Sequence, residues 1–486
     1  MKLASILTPW ADSIDFHDTD IEILGIQNDS RLVTAGDLFI AYPGAKADGR
    51  LFLDSAVAAG AVAILYEAED IPVPVKPNFS IPCLAVPHLV EKLPEIASRF
   101  YQQPSQTLHV IGVTGTNGKT TIAFQLAQAL ELLGEHAAYI GTIGQGRVNQ
   151  LHPLDNTTPD ALQLQKLLAS YRDSGIKYVC MEVSSHALAL HRVDAIQFTQ
   201  AIFTNLTLDH LDFHQTMAHY AQAKAKLFSY GSLQQAIINI DDPYAAQMTQ
   251  ALNAQVELIT YGMQNPCKLN VKHWQMDIRG TQITIDSGWG EFQVHMNALG
   301  VFNIYNTLAL FGCLVSAGFT PENVIRAIAD LKPAPGRLEI VAQKPCVLVD
   351  YAHTPDALEN ALQTLKQLPH QHLWVIFGCG GNRDRSKRPL MGKIASNYAD
   401  FVVITSDNPR HEEPESIIAD IAQGISTDHQ VKIIIKREEA IAFALKQAQP
   451  DDIILIAGKG HEDYQQIGDV KYPFSDQEVV QRLNAD

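Results

Sequence analysis

Thr114-Gly-Thr-Asn-Gly-Lys-Thr-Thr121 follows an apolar run, His109-Val-Ile-Gly-Val113, and precedes a helical pattern, Ile122-Ala-Phe-Gln-Leu-Ala-Gln-Ala-Leu130. A glycine-bearing turn between a strand and a helix aims backbone N–H groups and the helix amino terminus at a phosphate chain. Lys119 adds a charge there, and the Thr120 hydroxyl can ligate Mg²⁺. The spacing departs from the usual G-x-x-x-x-G-K-[ST], because Val113 stands five residues before Gly118. A plain Gly/Thr/Asn turn is the rival, but strand, Lys-Thr pair and helix in one register favour ATP or GTP.

Other residues could serve the same chemistry. Glu182 closes the run Lys177-Tyr-Val-Cys-Met181, where a carboxylate is well placed to hold Mg²⁺ beside a phosphate loop. His210 lies in the turn Asp209-His-Leu-Asp212, and alone it reads better as a capping or satisfied turn histidine than as a ligand. Lys224, in Tyr220-Ala-Gln-Ala-Lys-Ala-Lys-Leu-Phe228, sits in a helical pattern where a lysine is by default solvated. Asp407-Asn-Pro-Arg410 follows Phe401-Val-Val-Ile-Thr405. Pro409 restricts that turn, and Arg410 offers a planar fork suited to a carboxylate.

The elements that must position these residues fall into three segments, with boundaries expected at 1–87, 88–333 and 334–486. The first carries short strand-like runs, Asp37-Leu-Phe-Ile-Ala-Tyr42 and Ala61-Val-Ala-Ile-Leu-Tyr66, and turns at Pro43-Gly44 and Asp48-Gly49. From about residue 108, apolar runs end abruptly in polar residues or Gly and helical patterns follow, as in buried parallel strands. Examples are Gln200-Ala-Ile-Phe203 and Ala236-Ile-Ile-Asn-Ile240. Leu331-Lys-Pro-Ala-Pro-Gly-Arg337 reads as a linker. The rhythm resumes at Cys346–Asp350, Leu373–Phe377, Phe401–Thr405, Val431–Ile435 and Asp452–Ile456, which predicts a second open α/β domain with ligands beyond the carboxyl ends of its strands.

The 486 residues fit about three domains. With 36 Lys+Arg against 53 Asp+Glu, the formal charge of −17 argues against unselective nucleic-acid or membrane-surface binding, so anionic ligands need local cations. The longest apolar stretch, Ala56 to Tyr66, is too short to span a membrane, and the amino-terminal sequence is a poor signal peptide. Six cysteines without a CxxC pair suit a reducing cytoplasm; Cys180, Cys313 and Cys346 read as buried thiols.

The compact loop Thr114–Thr120 resembles that of the Mur ligase family, which also includes folylpolyglutamate synthetases. Further strings carry the resemblance along nearly the whole chain: Asp29-Ser-Arg with Gly36-Asp-Leu-Phe, Asn156-Thr-Thr158, Met181-Glu-Val-Ser-Ser-His186, Thr204-Asn-Leu with Asp209-His-Leu-Asp212, Asp350-Tyr-Ala-His-Thr-Pro355, Gly378-Cys-Gly-Gly with Lys387-Arg-Pro-Leu-Met-Gly392, Asp407–Arg410 and Gly458-Lys-Gly-His-Glu462. The implied fold is α/β in three domains: a small uridine-binding domain, a central P-loop ATPase-like parallel-sheet domain and a Rossmann-like carboxyl-terminal domain.

The resemblance implies an ATP-dependent amide ligase working through an acyl phosphate. Gly115, Thr116, Asn117, Gly118, Lys119, Thr120 and Thr121 would take ATP, with Asn303 at adenine, Arg337 at the terminal phosphate and Asp350 on the ribose side. Helix capping is the rival for Asn303. Thr120, Glu182, His210 and Lys224 would surround two Mg²⁺ ions, Lys224 as a CO₂-derived carbamate. Asn28, Ser30 and Ala45-Lys46-Ala47 fall where the family holds uridine diphosphate; Asn156, Thr157, Thr158, Ser184, Leu190 and Arg192 fall along the muramoyl peptide. Leu190 departs from the Gln frequent there. Without the family, Ser30 reads equally as a turn hydroxyl and Arg192 as a surface cation.

Arg383, Asp407, Asn408, Pro409, Arg410, Gly458 and Glu462 match contacts to meso-diaminopimelate, Glu462 at the distal ammonium. Diaminopimelate exceeds lysine by one carboxylate, which an arginine would pair. The implied substrates are therefore UDP-N-acetylmuramoyl-L-alanyl-D-glutamate, meso-diaminopimelate and ATP, with no nucleic-acid partner, a monomeric state and a cationic cleft on an acidic surface. The rivals are a lysine-adding ligase, a folylpolyglutamate synthetase, and an ATP-hydrolysing switch that needs no amino-acid site.

Overall fold

The computed structural model describes residues 1–11, 14, 20–44, 47–69, 79–426 and 430–485. Ala45 and Lys46, expected at the uridine diphosphate, lie outside the described residues. The chain forms two compact units. One comprises residues 1–112, 135–200 and 229–234, the other 113–134, 201–228 and 235–486.

In the first unit, Gly25–Gln27, Asp37–Ala41, Ala63–Glu67 and Cys83–Val86 form an all-parallel sheet. Alternation along the strands sends Leu38, Ile40, Ala63 and Leu65 into one core with the helix Leu89–Phe100. Phe39, Ala41, Ile64 and Tyr66 enter a second core with Leu53 and Ala56. Both faces are covered, which is why these strands read as continuous apolar runs. Ala137–Gly141 pairs parallel with Tyr178–Glu182 and antiparallel with Gly144–Arg147.

In the second unit, Gln235–Asn239 pairs parallel with Glu257–Gly262, and that strand with Leu269–Asp277. An antiparallel ribbon, Leu269–Asp277, Gly280–Ser287 and Gly290–Met296, extends the pairing. Farther along, a six-stranded sheet has the order Glu339–Gln343, Cys346–Asp350, Ile453–Ala457, Leu373–Phe377, Phe401–Ile404, Val431–Ile433. All neighbours are parallel except the first pair. Leu348, Val375, Phe377, Ile404 and Leu455 pack one face, and Val347, Val349, Ile376, Val403 and Ile454 the other. Inserting Ile453–Ala457 between Cys346–Asp350 and Leu373–Phe377 makes a topological switch point. The loops carrying Asp350, Arg383, Asp407–Arg410 and Gly458–Glu462 leave the carboxyl ends of four adjacent strands there.

The expected parallel strands are all present, their ends moved by one or two residues. Cys180 and Cys313 are buried as expected, whereas Cys346, the first residue of its strand, is only partly buried, and Cys379 is buried as well. Among the described residues, no helix is long and apolar enough to cross a membrane.

One buried ion pair anchors the last helix, Asp476–Ala485. Arg437 donates from Nε to Asp476 Oδ1 and from Nη2 to Oδ2, both at 2.7 Å, and from Nη2 to the Ala457 carbonyl at 2.9 Å. Both side chains are 0% exposed. Removing one partner strands the other charge in a dry interior, so Asp476→Asn is expected to cost about 3–5 kcal/mol. Urea unfolding measures this; a change below about 1 kcal/mol would refute it.

Candidate active site

The helix Lys119–Leu132 starts from Gly118, whose φ of +87° suits glycine, and no side chain caps its first turn. Its amino-terminal N–H groups are thus the kind that bind phosphate. The turn before it is fixed by the segment after Phe198–Phe203. Thr116 N donates to the Asn205 carbonyl at 2.8 Å, Asn117 N to Asn205 Oδ1 at 2.9 Å, and Thr204 Oγ1 to the Asn117 carbonyl at 2.6 Å. A Cβ on Gly115 would lie 1.8 Å from Thr204 Oγ1. Asn306, whose Oδ1 would meet a Cβ on Gly118 at 2.7 Å, and Asn303 lie in the first two turns of the helix Val301–Ser316. Asn303 Nδ2 donates to the Leu299 carbonyl at 2.8 Å and Asn306 Nδ2 to Asn303 Oδ1 at 2.9 Å.

Two lysines converge on the Gly115 carbonyl. Lys119 Nζ donates to it at 2.9 Å and to the Thr116 carbonyl at 2.8 Å. Lys224 Nζ donates to the same oxygen at 2.7 Å and lies 4.7 Å from the Tyr220 ring centroid. Lys224 is 1% exposed, not solvated as its helical pattern implied, while Lys226 is exposed. Burial, and secondly the Lys119 charge, hold the Lys224 ammonium well below its usual range. His210, with φ of +54°, stacks edge-on against Tyr220 at 6.0 Å. The adjacent Asp209 is driven up by burial, but His210, His353 and Lys119 outweigh that and keep it below the ordinary carboxylate value.

Arg337 reaches the same loop. Its Nη2 donates to Thr120 Oγ1 at 3.1 Å, its guanidinium covers Tyr351 at 4.6 Å, and its buried Nε has no hydrogen-bond partner. Asp350 is buried, with Oδ2 accepting from Leu338 N at 2.7 Å and Oδ1 from Ala352 N at 2.8 Å. Asn117 Nδ2 donates to Asp356 Oδ2 at 2.9 Å. Asp356, Asn306 and Tyr220 carried no distinguishing sequence signal beyond proximity to the quoted strings.

At the carboxyl ends of the second unit's six-stranded sheet, two loops are laced together. Gly381 N donates to the Asn408 carbonyl at 2.9 Å, Arg410 Nη1 to the Gly381 carbonyl at 2.8 Å, and His411 N to Asn382 Oδ1 at 3.0 Å. A Cβ on Gly380 would be 2.8 Å from Arg410 Nη1 and 3.7 Å from Arg383 Cγ, so both arginines rise beside one glycine. Asp407, Asn408 and Pro409 are buried and Arg383 exposed. Arg410, with φ of +52°, bridges to Ile467 of the hairpin Tyr464–Pro473. Asn408 Nδ2 donates to Glu462 Oε2 at 2.8 Å, and a Cβ on Gly458 would be 2.5 Å from Asp407 Oδ2.

In the first unit, Glu182 is fully buried. Its Oε1 accepts from Tyr139 Oη at 2.5 Å and Thr142 N at 2.8 Å, and its Oε2 from Thr142 Oγ1 at 3.2 Å. Thr157 Oγ1 lies 3.1 Å from Thr142 Oγ1. Thr158 Oγ1 donates to the Glu182 carbonyl at 2.8 Å and accepts from Ser184 N at 3.1 Å; Arg192 Nη1 donates to the Thr158 carbonyl at 3.1 Å. Ser184 also caps the helix Ser185–Ala189. Asn28 donates to Tyr42 Oη at 3.0 Å, Ser30 opens a short 3₁₀ turn, Ala47 adjoins the Asp48 turn, and Asn156 and Leu190 are exposed.

The fully buried Arg388 holds the laced loops from behind. Nη2 and Nη1 fork onto Glu412 at 2.9 and 3.0 Å, and Nη1 also meets Asp420 at 2.9 Å. Hydrogen bonds from Arg388 and then from Asn382 N bring the Glu412 carboxyl from 4.5 to about 2. A value depressed by folding contributes stability that is complete above about pH 4.5 and lost as pH falls toward 2. Glu412→Gln is expected to lower the urea midpoint at neutral pH and to flatten its fall below about pH 5. Parallel acid limbs in variant and wild type would refute this.

Comparison with known proteins covers most of the chain. Residues 22–101 match the model described as Mur ligase family, catalytic domain; 113–314 match the Mur ligase middle domain; and 336–460 match the Mur ligase, glutamate ligase domain. The UDP-N-acetylmuramoyl-L-alanyl-D-glutamate--2,6-diaminopimelate ligase of Haemophilus influenzae (strain PittGG) is 44% identical over 471 residues, 95% of this chain and 96% of its own. A solved structure of a UDP-N-acetylmuramoyl-L-alanyl-D-glutamate--2,6-diaminopimelate ligase superimposes with a TM-score of 0.73 at 38% identity, covering 99% of each chain. The folylpolyglutamate synthase of Mycobacterium tuberculosis shares the fold over 76% of this chain and 92% of its own, at 16% identity and a TM-score of 0.64. A nucleotide-type loop at the head of a helix, parallel sheets on either side of the linker, and this extent of identity lead to one assignment: the chain belongs to the Mur ligase family.

Proposed function

We propose that the chain is an ATP- and Mg²⁺-dependent ligase of cytoplasmic peptidoglycan precursor synthesis, joining meso-diaminopimelate to the D-Glu γ-carboxylate of UDP-N-acetylmuramoyl-L-alanyl-D-glutamate. The observation that carries it is the grouping of Arg383, Arg410 and the Asn408–Glu462 pair at adjacent strand ends. Diaminopimelate brings two carboxylates and two amines. Two guanidinium forks and one carboxylate complement it, leaving the L-centre amine to react. L-Lysine would leave one fork without an anion. The identity to diaminopimelate ligases over nearly the full length supports the same choice.

In this reading Gly115 to Thr121 cradle the ATP phosphates, with Lys119 exchanging its two carbonyl partners for phosphate oxygens. Arg337 is already at Thr120, near where a terminal phosphate would rest. Asn303 serves adenine and Asp350 the ribose side. Asn28, Ser30, Ala47, Asn156–Thr158, Ser184, Leu190 and Arg192 follow the UDP-muramoyl peptide. The γ-phosphoryl group passes to a γ-carboxylate oxygen, giving an acyl phosphate and ADP. The amine then attacks the carbonyl carbon, loses a proton and expels inorganic phosphate, so the protein's contribution is positioning and charge compensation.

Thr120, Glu182 and His210 are the proposed metal ligands. A buried hydroxyl and a buried carboxylate are hard oxygen donors that fit Mg²⁺. When bound, the ions neutralise charge on the transferring phosphoryl group. Lys224 is the proposed carbamate. A fully buried amine beside a second lysine gains by losing its positive charge; uptake of CO₂ by the neutral amine forms an N–C bond, releases a proton and leaves an anion facing Lys119.

Phosphate release with ATP, Mg²⁺ and the UDP-muramoyl dipeptide should require meso-diaminopimelate and respond little to L-lysine. Release indifferent to the amino acid would reject ligation, and stimulation by lysine alone would reject the role of Arg410. Lys224→Ala should lose most turnover, and unchanged turnover would reject the carbamate. Arg410→Ala should raise KM for meso-diaminopimelate by roughly ten- to a hundredfold, the worth of a charged hydrogen-bonded pair.

A further inference from the structure

Lys459 is 0% exposed, which is rare for a lysine and costly unless the ammonium is paired. An apolar residue would fill the same space at lower desolvation cost, so packing alone does not account for it. Its Nζ donates to Glu462 Oε2 at 3.0 Å and to Asn408 Oδ1 at 3.1 Å, with the Tyr464 ring at 5.5 Å. Asn408 is fixed on both sides of its amide: Oδ1 also accepts from Gln466 N at 2.8 Å, and Nδ2 donates to Glu462 Oε2. Both donors therefore fall on one oxygen of Glu462, a side chain 15% exposed against the 0% of Lys459. The partly exposed Glu462 thus keeps its other oxygen, Oε1, outside these two bonds.

The charges around this pair are interleaved. Arg437 is paired to Asp476 and also feels the fields of Asp407 and Glu462. Two buried cations, Lys459 and Arg437, thus face three carboxylates, Asp407, Glu462 and Asp476, and Arg410 acts on the same neighbourhood. Lys459 is the cation bonded to Glu462, and it engages one carboxylate oxygen only.

We propose that Lys459 is a positioning residue for amino-acid selection: it holds Glu462 by Oε2 and Asn408 by Oδ1, so that Oε1 is presented to the distal ammonium of the diamino acid. The inference rests on the reading above, in which Glu462 meets that ammonium. Lys459 partly neutralises Glu462, yet what it supplies is a single side-chain geometry, and a preorganised acceptor outweighs a stronger but mobile one. The expected signature is a loss confined to substrates that carry the distal amine.

The test measures kcat and KM of the full chain with ATP, Mg²⁺ and the UDP-muramoyl dipeptide, using meso-diaminopimelate or L-2-aminopimelate, which keeps both carboxylates and lacks the distal amine. Lys459→Met should raise KM for meso-diaminopimelate roughly tenfold, leave KM for ATP and for L-2-aminopimelate within about twofold, and erase most of the preference between the two amino acids. Lys459→Arg, which keeps the charge and serves if the Met variant does not fold, should show the same selective loss at about threefold. Equal losses on both amino acids, or none, would overturn the inference. Wild-type enzyme that ligates both amino acids equally well would instead overturn the role given to Glu462, and the inference with it.

Discussion

The Gly115 carbonyl oxygen accepts hydrogen bonds from two ammonium groups, Lys119 and Lys224, inside a turn with no slack. Gly115 has φ of +151° and no room for a Cβ against Thr204, so only glycine fits this turn. The other side of the same peptide is fixed by Thr116 N, which donates to the Asn205 carbonyl. Two like charges on one acceptor in a dry setting are unfavourable, and the relief is asymmetric. Lys119 is partly exposed and can turn to a phosphate, whereas Lys224 is sealed in and can only change its chemical state. The loop is thus set for an anion on one side and against a cation on the other.

A comparable economy governs the carboxyl-terminal loops. The turns after Leu373–Phe377 and Phe401–Ile404 start buried, at Cys379 and at Thr405–Pro409, and end in two arginines that they must hold in register. Backbone bonds between Gly381, Asn382, Asn408 and His411 supply the register, and the buried Arg388 supports them through Glu412. The hairpin Tyr464–Pro473 adds a short parallel bridge at Arg410, whose left-handed backbone it stabilises. A site held by hydrogen-bonded peptides rather than by long side chains loses little entropy on binding.

Much of this was legible in the sequence. Parallel strands covered on both faces appear as unbroken apolar runs, so the open sheets and the loops at their carboxyl ends could be located from one chain. The ribbon Leu269–Met296 was not anticipated, because it carries exposed polar residues such as Lys272 and His273 and lacks the continuous apolar run used to find the others. Burial of ions was equally hidden. Lys224, Arg388, Arg437 and Lys459 each sit among residues that would suit a solvated surface, and what buries them comes from distant segments such as Gly115, Glu412, Asp476 and Asn408. Local pattern reports the face of an element and says nothing about what crosses above it.

The acidic excess of the whole chain takes on a different meaning beside these buried cations. A net charge of −17 keeps polyanions at a distance, but it is a sum dominated by solvated side chains. Inside the second unit the balance is set group by group: a carboxylate pair for Arg388, a bidentate partner for Arg437, one carboxylate oxygen and one amide oxygen for Lys459, and for Arg410, among the described residues, only the Gly381 carbonyl on Nη1. That single bond fixes the plane of the Arg410 guanidinium while leaving its other N–H groups to an incoming acceptor. In the proposed function, selectivity for a zwitterionic diamino acid follows from where pairing is left unfinished. A neutral or singly charged competitor would enter a pocket whose remaining donors and acceptors it could not fill, and unfilled buried polar groups discriminate more sharply than shape does.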